Sequence, residues 1–515
     1  MTRGRSQLKI GIILNYINIG LGNLIPVFYT PIMLGILGQS EYGLYKLSSS
    51  ITSYLSLISM GIGSAVTRYL IKAREQEGKE AEERVLGLFV TIFQVIAIVV
   101  FIVGVALTFS LHFFYGDSLS PKELWKMRIL VFLMVCNTAL TLSMSPFFSL
   151  VTSHERFVFS QFMNILITCA VPVVNLIVLF IGFYSIGMAL SSLVIHLIVN
   201  LCYLLYSRTK LKIKARFRNM PTHLLKEIMV FSFWIFVANV VTQLYNATDT
   251  VMIGTVPALG TKAVAVYNVG GVFNTMVFSL AVGMSALLTP KTNKMVFSGA
   301  TNAELTDLCI RVGRIQSYII TLVITGFIAF GQPFLHYYVG PEYGESYWVA
   351  VLMMIPNLIP LVQSVCLSII VAQNKHRFRS LVYLGIAVAN VIGTWFLMQT
   401  PLGVIGAALM TGVALVIGQG FIMNWYYNKK TGLEIGRFWK ELIKTFVIPI
   451  AMCIIALVVA RFVNFYSIPV LIVGIVVYTL AFALLSWFIV MNRYEKELIS
   501  KPILRIVNLL KRKRA

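Results

Sequence analysis

The sequence predicts an all-α integral membrane protein with 14 transmembrane helices, arranged as two six-helix lobes and two C-terminal helices. Apolar residues make up 58% of the 515 residues and charged residues only 12%, about half of the ~25% usual in soluble domains. The mean hydropathy is +0.84, and apolar runs long enough to span a bilayer recur along the chain. These observations exclude a soluble enzyme, a nucleic-acid-binding protein and a disordered scaffold.

Each predicted helix is an apolar run of about 20 residues, the length that crosses the hydrocarbon core. The connections at 182–185 and 399–402 are very short, so spans 5–6 and 11–12 are predicted to form tight hairpins. Thr301–Glu304 and Ser120–Glu123 match the capping box that starts a helix. The 14 spans cover residues 10–34, 43–66, 86–111, 127–151, 158–181, 183–206, 228–253, 264–289, 315–338, 347–371, 380–399, 402–426, 445–463 and 467–491.

The distribution of Lys and Arg predicts the orientation of these spans. With the N-terminus in the cytoplasm, 36 of the 42 cations lie in cytoplasmic segments, as the positive-inside rule requires. We therefore expect a multi-pass protein of the inner (cytoplasmic) membrane with both termini in the cytoplasm. Its net charge of +23 then reflects contact with membrane lipids and not with nucleic acid. Beyond residue 492, Ile503, Ile506, Val507 and Leu510 share one face among many cations and predict a basic amphipathic helix on the inner surface. The alternative is polybasic anchoring in the cytoplasm without regular structure.

An internal repeat divides the chain. At an offset of about 220 residues, Tyr45 falls on Tyr267 and Lys72 on Lys294, and IGMAL at 186–190 meets IGAAL at 405–409. Spans 1–6 thus correspond to spans 7–12 in the same orientation, a transporter design with the substrate path between the halves. The predicted domains are an N-lobe at 1–207, a C-lobe at 208–427, and spans 13–14 with a basic cytoplasmic tail at 428–515.

Span count, repeat and local motifs resemble the MATE-like (multidrug, oligosaccharidyl-lipid, polysaccharide) flippase superfamily. The motifs are LGQSEYGLY at 37–45, DTVMIG at 249–254 and LGVIGAAL at 402–409. The chain is most similar to the polysaccharide or O-antigen type, which exports lipid-linked oligosaccharides. The multidrug branch usually has 12 spans. The peptidoglycan-precursor branch also has 14 but places arginines deep in its first spans, where this chain has asparagines.

Asp249 is the only acidic residue that we place inside a span, and a carboxylate at membrane depth indicates an ion or proton pathway. Gln243 and Asn246 share its helix face, so the face could coordinate Na⁺ or hold a carboxyl that takes up H⁺. The alternative is a hydrated carboxylate that caps backbone near the outer helix end. The family resemblance implies a cation site in the C-lobe, with Asn390 and Thr411 as further oxygen ligands. We expect no other cofactor.

A polar face on span 1 is the first candidate for substrate contacts. Asn15, Asn18 and Tyr29 lie on it and could bind sugar hydroxyls; the alternative is amide bonding between helices. Cations crowd the predicted cytoplasmic ends of spans 2, 8 and 9, where they could attract a lipid pyrophosphate. The alternative there is positive-inside anchoring. The candidates are Arg68, Lys72, Lys291, Lys294 and Arg314.

These features predict a flippase, not an enzyme, and no catalytic residues are assigned because no Walker loop, zinc spacing or nucleophile elbow is present. The expected activity moves isoprenoid-pyrophosphate-linked oligosaccharide to the outer leaflet by alternating access, coupled to a cation or proton gradient, for cell-surface polysaccharide synthesis. We expect a monomeric transport unit that works with polysaccharide assembly proteins. The alternatives are a cation-coupled multidrug exporter and a peptidoglycan-precursor flippase on the same fold.

Overall fold

A computed structural model describes residues 2–59, 62–222, 224–373, 375–498 and 500, and within these ranges every regular element is a helix. The predicted amphipathic helix beyond residue 500 lies outside the described residues. In the first half, seven α-helices occur among the described residues: α1 (Thr2–Ser56), α2 (Ile62–Glu77), α3 (Lys79–Tyr115), α4 (Pro121–Ser153), α5 (Phe157–Ile181), α6 (Tyr184–Thr209) and α7 (Leu224–Thr255).

The second half contains more broken helices, most of which are shorter than those of the first half. The stretch after α13 is π-helical over Val416–Met423, and α16 continues as a π-helix over Ser486–Val490. Within the described part of this half, the α-helices are α8 (Gly260–Phe297), α9 (Asn302–Tyr338), α10 (Ser346–Val362), α11 (Ser364–Ala372), α12 (His376–Met398), α13 (Gly403–Leu415), α14 (Asn424–Thr431), α15 (Ile435–Val459) and α16 (Ile468–Leu485).

All 14 predicted spans fall on these helices, so the predicted all-α membrane fold is confirmed. Among the described residues, 11 helices are long and apolar enough to cross a bilayer, and the bent pair α10–α11 makes up to 12. Helix α1 holds two spans, because Gly38 interrupts it with φ 73° and ψ 170°, a conformation that only glycine adopts readily. Helix α7 carries span 7.

Three spans differ from the predicted continuous runs. Span 2 leaves the α-helix at Ser56, passes through a 3₁₀ turn at Leu57–Ser59 and resumes at Ile62. Span 10 bends by 47° between α10 and α11; Pro356 and Pro360 precede the bend, and each removes a backbone hydrogen bond. Span 13 ends at Val459, before its predicted end at 463. Hydropathy reports the apolar length of a run and not the interruptions within it.

Local signals fix the helix ends outside the apolar runs. Both predicted capping boxes are confirmed: the Ser120 and Thr301 side chains accept from the backbone of Glu123 and Glu304, whose carboxylates accept in return. Gly182, with φ 94°, ends α5 just before α6 begins, as the short connection predicts. Helices at equivalent repeat positions have similar lengths, 37 residues for both α3 and α9. The predicted lobe boundaries stay predictions.

The chain packs into two compact units, each with its own core. Unit 1 comprises Met1–Asn268 with Val391–Ala407, and unit 2 comprises Val269–Asn390 with Ala408–Ala515. A core of unit 1 is built around Leu70, Leu86 and Phe89, and a core of unit 2 around Phe330, Tyr478 and Phe482.

Many large apolar side chains point outward from the helices. Ile102 on α3 is 62% exposed, Phe180 on α5 is 73% exposed and Ile455 on α15 is 61% exposed. Soluble monomers rarely expose apolar surface on this scale. Surfaces of this kind fit the hydrocarbon core of a bilayer, which the hydropathy of the helices also indicates.

Candidate functional site

The carboxylate of Asp249 lies in a buried polar cluster on α7. Asp249 is 1% exposed, and its carboxylate accepts a hydrogen bond of 2.5 Å from the Tyr267 hydroxyl on α8. The neighbouring Thr248 hydroxyl lies 2.6 Å from that of Tyr54 on α1, and Thr250 receives a 3.4 Å hydrogen bond from Asn268. The burial of the carboxylate disfavours the alternative of a hydrated side chain at the helix end. Carboxylate and hydroxyl oxygens lie together here, and hard oxygen donors suit small cations.

The predicted amide stripe on α7 is partly described. The Gln243 side chain donates a hydrogen bond to the Ser53 hydroxyl on α1, one turn and a half from Asp249. The side chain of Asn246 lies outside the described part of the chain. Gln243 and Thr248 thus both contact the second half of α1, at Ser53 and Tyr54.

Asn390 and Thr411, the further ligands implied by the family resemblance, meet each other in unit 2. The Thr411 hydroxyl donates to the Asn390 side-chain oxygen at 3.2 Å, and Thr411 and Asn390 are 2% and 0% exposed. Helices α12 and α13 position them. Among the described residues, no group of three or more His, Cys, Asp or Glu side chains could hold a metal ion, so a cation here would depend on amide and hydroxyl oxygens.

The predicted polar face of span 1 contacts α5. The Thr168 hydroxyl donates to the Asn18 side chain at 2.8 Å, and Asn175 donates to the Tyr29 hydroxyl at 3.4 Å. Asn15 on the same helix is exposed. The hydrogen bonds of Asn18 and Tyr29 agree with the interhelical alternative for those two side chains, whereas Asn15 is accessible to a solute.

Sequence reasoning missed the partners on α5 and α6. Thr168 and Asn175 lie seven residues apart on one face of α5, and Ser191 on α6 donates to Asn175 at 2.6 Å. Asn175 is 3% exposed and links three helices. The seven-residue spacing of two polar residues in an apolar run was the available signal.

Four of the five predicted basic residues are exposed at helix ends. Arg68 and Lys72 are exposed one turn apart on α2, and Lys291 and Lys294 are exposed near the end of α8. Lys72 and Lys294, which the repeat pairs, thus have similar environments. The four exposed cations are accessible to an anion, and their proposed contact with a lipid pyrophosphate stays a prediction.

Arg314 is placed differently from the predicted exposed cavity mouth. It is 5% exposed, and its guanidinium pairs with the Glu495 carboxylate at 2.6 Å. It also donates to the Tyr318 hydroxyl and to the backbone oxygens of Glu441 and Val490. Because these partners surround the guanidinium, Arg314 binds α9 to the segment after α16 and does not present its charge to a substrate.

A second polar network joins the predicted outer ends of helices within unit 1. Glu123 at the start of α4 accepts from Ser40 at 2.6 Å and from Thr261, at the start of α8, at 3.0 Å. Burial alone raises the pKa of Glu123, but hydrogen bonds from Ser40, Ser120 and Thr261 outweigh it and hold the pKa below 4.5. This network links the α1 break at Gly38 to the starts of α4 and α8.

Glu41 extends this network. Its carboxylate pairs with Lys126 at 2.7 Å and accepts from the Ser185 hydroxyl at 2.8 Å. Burial alone would raise the pKa of Glu41. Hydrogen bonds from Lys126 and Ser185 and the charge of Lys126 outweigh this effect, so the pKa lies below its ordinary value. Four short segments, in α1 and at the starts of α4, α6 and α8, are thus tied together within unit 1.

Residues 8–290, more than half of the chain, match the family described as "Polysaccharide biosynthesis protein". No curated protein matches the sequence. Solved structures match along most of it. A "Lipid II flippase MurJ, inward closed conformation" is 15% identical with a TM-score of 0.71, and covers 93% of this chain and 98% of its own.

Multidrug transporters are among the other solved structures that match. An inward-facing MATE family transporter of the MOP superfamily is 11% identical with a TM-score of 0.63, over 85% of this chain and 99% of its own. The Vibrio cholerae MATE transporter VcmN, in its bent form, is 15% identical with a TM-score of 0.53, over 83% of this chain and 98% of its own. At these identities the matches show the fold alone, and it is the MATE-like fold that the sequence motifs predicted.

Proposed function

We infer the function of this chain from its family and its fold. The chain belongs to the polysaccharide biosynthesis protein family. With its MATE-like fold, it is a multi-span membrane flippase and not an enzyme. Its substrate is an isoprenoid-pyrophosphate-linked oligosaccharide, which it moves from the cytoplasmic to the outer leaflet by alternating access. The product feeds cell-surface polysaccharide synthesis. The match of residues 8–290 to this family is the observation that carries the proposal.

Such a substrate has three chemically different parts, and the chain offers groups suited to each. Sugar hydroxyls suit amide and hydroxyl side chains such as Asn15 and Asn18, which lie on an otherwise apolar helix. The pyrophosphate suits exposed cations such as Arg68 and Lys72. The isoprenoid chain suits an apolar surface, and unit 2 has a cavity of about 260 Å³ between α9, α15 and α16 with an entirely apolar lining that includes Phe330, Met452 and Gly474.

A Na⁺ or H⁺ gradient drives the proposed cycle through Asp249. A buried carboxylate in a bilayer costs ~2.5–3.5 kcal/mol on insertion scales, so a bound cation or proton is strongly stabilised there. Tyr267, which donates to this carboxylate, positions it for either ion. If the ion is Na⁺, Asn390 and Thr411, which contact each other in unit 2, offer a further pair of oxygen ligands. The orientation that this cycle requires, with both termini in the cytoplasm, rests on the distribution of Lys and Arg.

The second candidate is a peptidoglycan-precursor flippase, which the structural match to a lipid II flippase favours. The polar residues of span 1 argue against it, since Asn15, Asn18 and Asn23 stand there and no arginine does. A multidrug exporter is the third candidate on this fold. Exposed cations at the ends of α2 and α8 disfavour it, because cationic drugs would be repelled by them.

Transport of three fluorescent substrates into sealed proteoliposomes tests these candidates. The substrates are a lipid-linked oligosaccharide, lipid II and a cationic dye, each followed by loss of access to an external quencher. The proposal expects the lipid-linked oligosaccharide to cross at least tenfold faster than the other two, and faster than in protein-free vesicles. Faster crossing of lipid II or the dye would replace the proposal with the corresponding alternative. The oligomeric state of the purified protein, measured in the detergent from which it is reconstituted, tests the expectation of a monomeric transport unit.

A further inference from the structure

The segment that joins α6 to α7 alternates basic and apolar residues. Three apolar side chains of this segment pack into the unit 1 core or lie partly buried against it, with Ile213 only 2% exposed between Leu211 and Ala215. The basic residues between them are all exposed: Lys210, Lys212, Lys214, Arg216 and Arg218. An alternation of this kind separates one buried face from one charged face.

The backbone of this segment is held against the start of α3. Glu83 accepts a hydrogen bond of 2.9 Å from the Arg216 amide with its backbone oxygen, and one of 3.4 Å from the Lys214 amide with its carboxylate. Gly87, one turn later, lets the chain approach closely, since a Cβ atom there would lie 2.0 Å from the Arg216 carbonyl oxygen. The charged face therefore has a fixed position on unit 1.

Most charges on this face have no acidic partner in the described residues. Arg216 pairs with Glu83 at 2.8 Å and with Glu80 at 3.5 Å. Within the described ranges, no ion pair involves Lys210, Lys212, Lys214 or Arg218. The side chain of Phe217, between two arginines, is 60% exposed.

We propose that this segment, residues 210–218, is a docking surface for the anionic phospholipid headgroups of the inner leaflet. It follows directly on the end of α6 at Thr209 and precedes α7, so it lies at the level where two spans leave the bilayer. Basic side chains attract an anionic leaflet, and an exposed aromatic ring inserts at the headgroup level.

A row of separate charges fits many headgroups better than one pyrophosphate. The exposed cations occupy alternate positions of a non-helical segment, in which Lys212 adopts a left-handed backbone with φ 56°, so the charges are distributed along nine residues and are not gathered at one point. The anchored segment would hold the cytoplasmic end of α3 and the start of α7 against the leaflet. This inference does not depend on which substrate the protein moves.

Association of a spin-labelled phosphatidylglycerol with the reconstituted protein, relative to spin-labelled phosphatidylcholine, tests the inference. The test variant is K210Q/K212Q/K214Q. The matched control is K429Q/K430Q/K440Q, which removes the same charge from exposed positions of another cytoplasmic segment. We expect the relative association of the anionic lipid to fall about fivefold for each cation that contacts a headgroup in the test variant, and far less in the control.

Equal losses in the two variants would show a general effect of cytoplasmic charge and overturn the proposal, as would no loss in either. Inorganic pyrophosphate added to the wild type tests whether the surface binds a diphosphate instead of lipid headgroups. If low pyrophosphate concentrations displace the anionic lipid, the surface binds a converging diphosphate and the lipid assignment fails. The variant K210R/K212R/K214R, which keeps the charge, should retain the lipid preference and shows that the segment tolerates substitution.

Discussion

Tyr267 donates a hydrogen bond of 2.5 Å to the buried carboxylate of Asp249. The two residues lie on consecutive helices, α7 and α8, and Tyr267 is also the residue that the internal repeat aligns with Tyr45. A hydroxyl that donates to a carboxylate stabilises its charged form. The pair therefore fixes the position of the carboxylate to which the proposed coupling is assigned.

Removing this hydroxyl should shift ion coupling without removing the carboxylate. In Tyr267→Phe, the charged carboxylate loses a charge-assisted hydrogen bond of about 1.5–3 kcal/mol, so the ion concentration for half-maximal flipping should change by about tenfold or more. The change is to a higher concentration if the ion is Na⁺, which binds the charged carboxylate, and to a lower concentration if the ion is H⁺. The measurement is the ion concentration that gives half-maximal flipping. Tyr54→Phe serves as the control, because Tyr54 bonds to Thr248 instead. Equal shifts in the two variants would contradict a specific role for Tyr267.

The ion pair of Arg314 with Glu495 should stabilise the fold. The side chains are 7% and 3% exposed, and loss of one partner from a buried pair costs about 3–5 kcal/mol. We expect Glu495→Gln to lower the free energy of unfolding in detergent by about that amount. Asp307→Asn, which breaks an exposed pair with Arg437, should cost less than about 1 kcal/mol. Similar small losses for both would mean that Arg314 is free for another partner.

Gly43 allows α1 to approach the start of α8. A Cβ atom at this position would lie 1.8 Å from the Thr261 carbonyl oxygen, so Gly43→Ala must push the two helices apart. Overpacking of this kind typically costs about 1–3 kcal/mol, and thermal unfolding should report it. Gly35→Ala on the same helix meets no atom within 4 Å and should be neutral or stabilising. Equal behaviour of the two alanine variants would refute the close contact.

The Glu123 network should make stability depend on pH. Because hydrogen bonds hold the pKa of Glu123 below 4.5 in the fold, its contribution is present above the unfolded pKa and is lost as pH falls through the lowered folded pKa. Glu123→Gln should therefore unfold at a lower temperature than the wild type at pH 7, and this difference should shrink below about pH 4. A difference that is constant from pH 7 to pH 3 would exclude titration of Glu123 as its cause.

Hydropathy predicted the helices because the apolar length of a span is a local signal along the chain. The capping boxes at Ser120 and Thr301 were predictable for the same reason, since two residues three positions apart set each one. The pairing of Arg314 with Glu495 was not, because these residues are 181 positions apart. A basic residue beside a predicted span end looks the same in sequence whether it is exposed, like Lys294, or paired inside the fold.

The candidate site was predicted in part. Asp249 stood out because a carboxylate in an apolar run is costly, whereas its partner Tyr267 is an ordinary residue of membrane helices. Thr168 and Asn175 were missed on similar grounds, since single hydroxyl and amide groups are common between packed helices. The breaks at Ser56 and after Val362 interrupt apolar runs. The length of an apolar run does not say where a helix within it is interrupted, so hydropathy could not predict these positions.

The most direct test of the central claim measures flipping of a fluorescent lipid-linked oligosaccharide in proteoliposomes with and without an imposed Na⁺ or H⁺ gradient. We expect one of the two gradients to accelerate flipping at least tenfold in the wild type, and neither to accelerate it in Asp249→Asn, with equal amounts of both proteins in the membrane. Absence of gradient-dependent flipping in the wild type with any lipid-linked glycan, or an unchanged gradient response in Asp249→Asn, would contradict the claim.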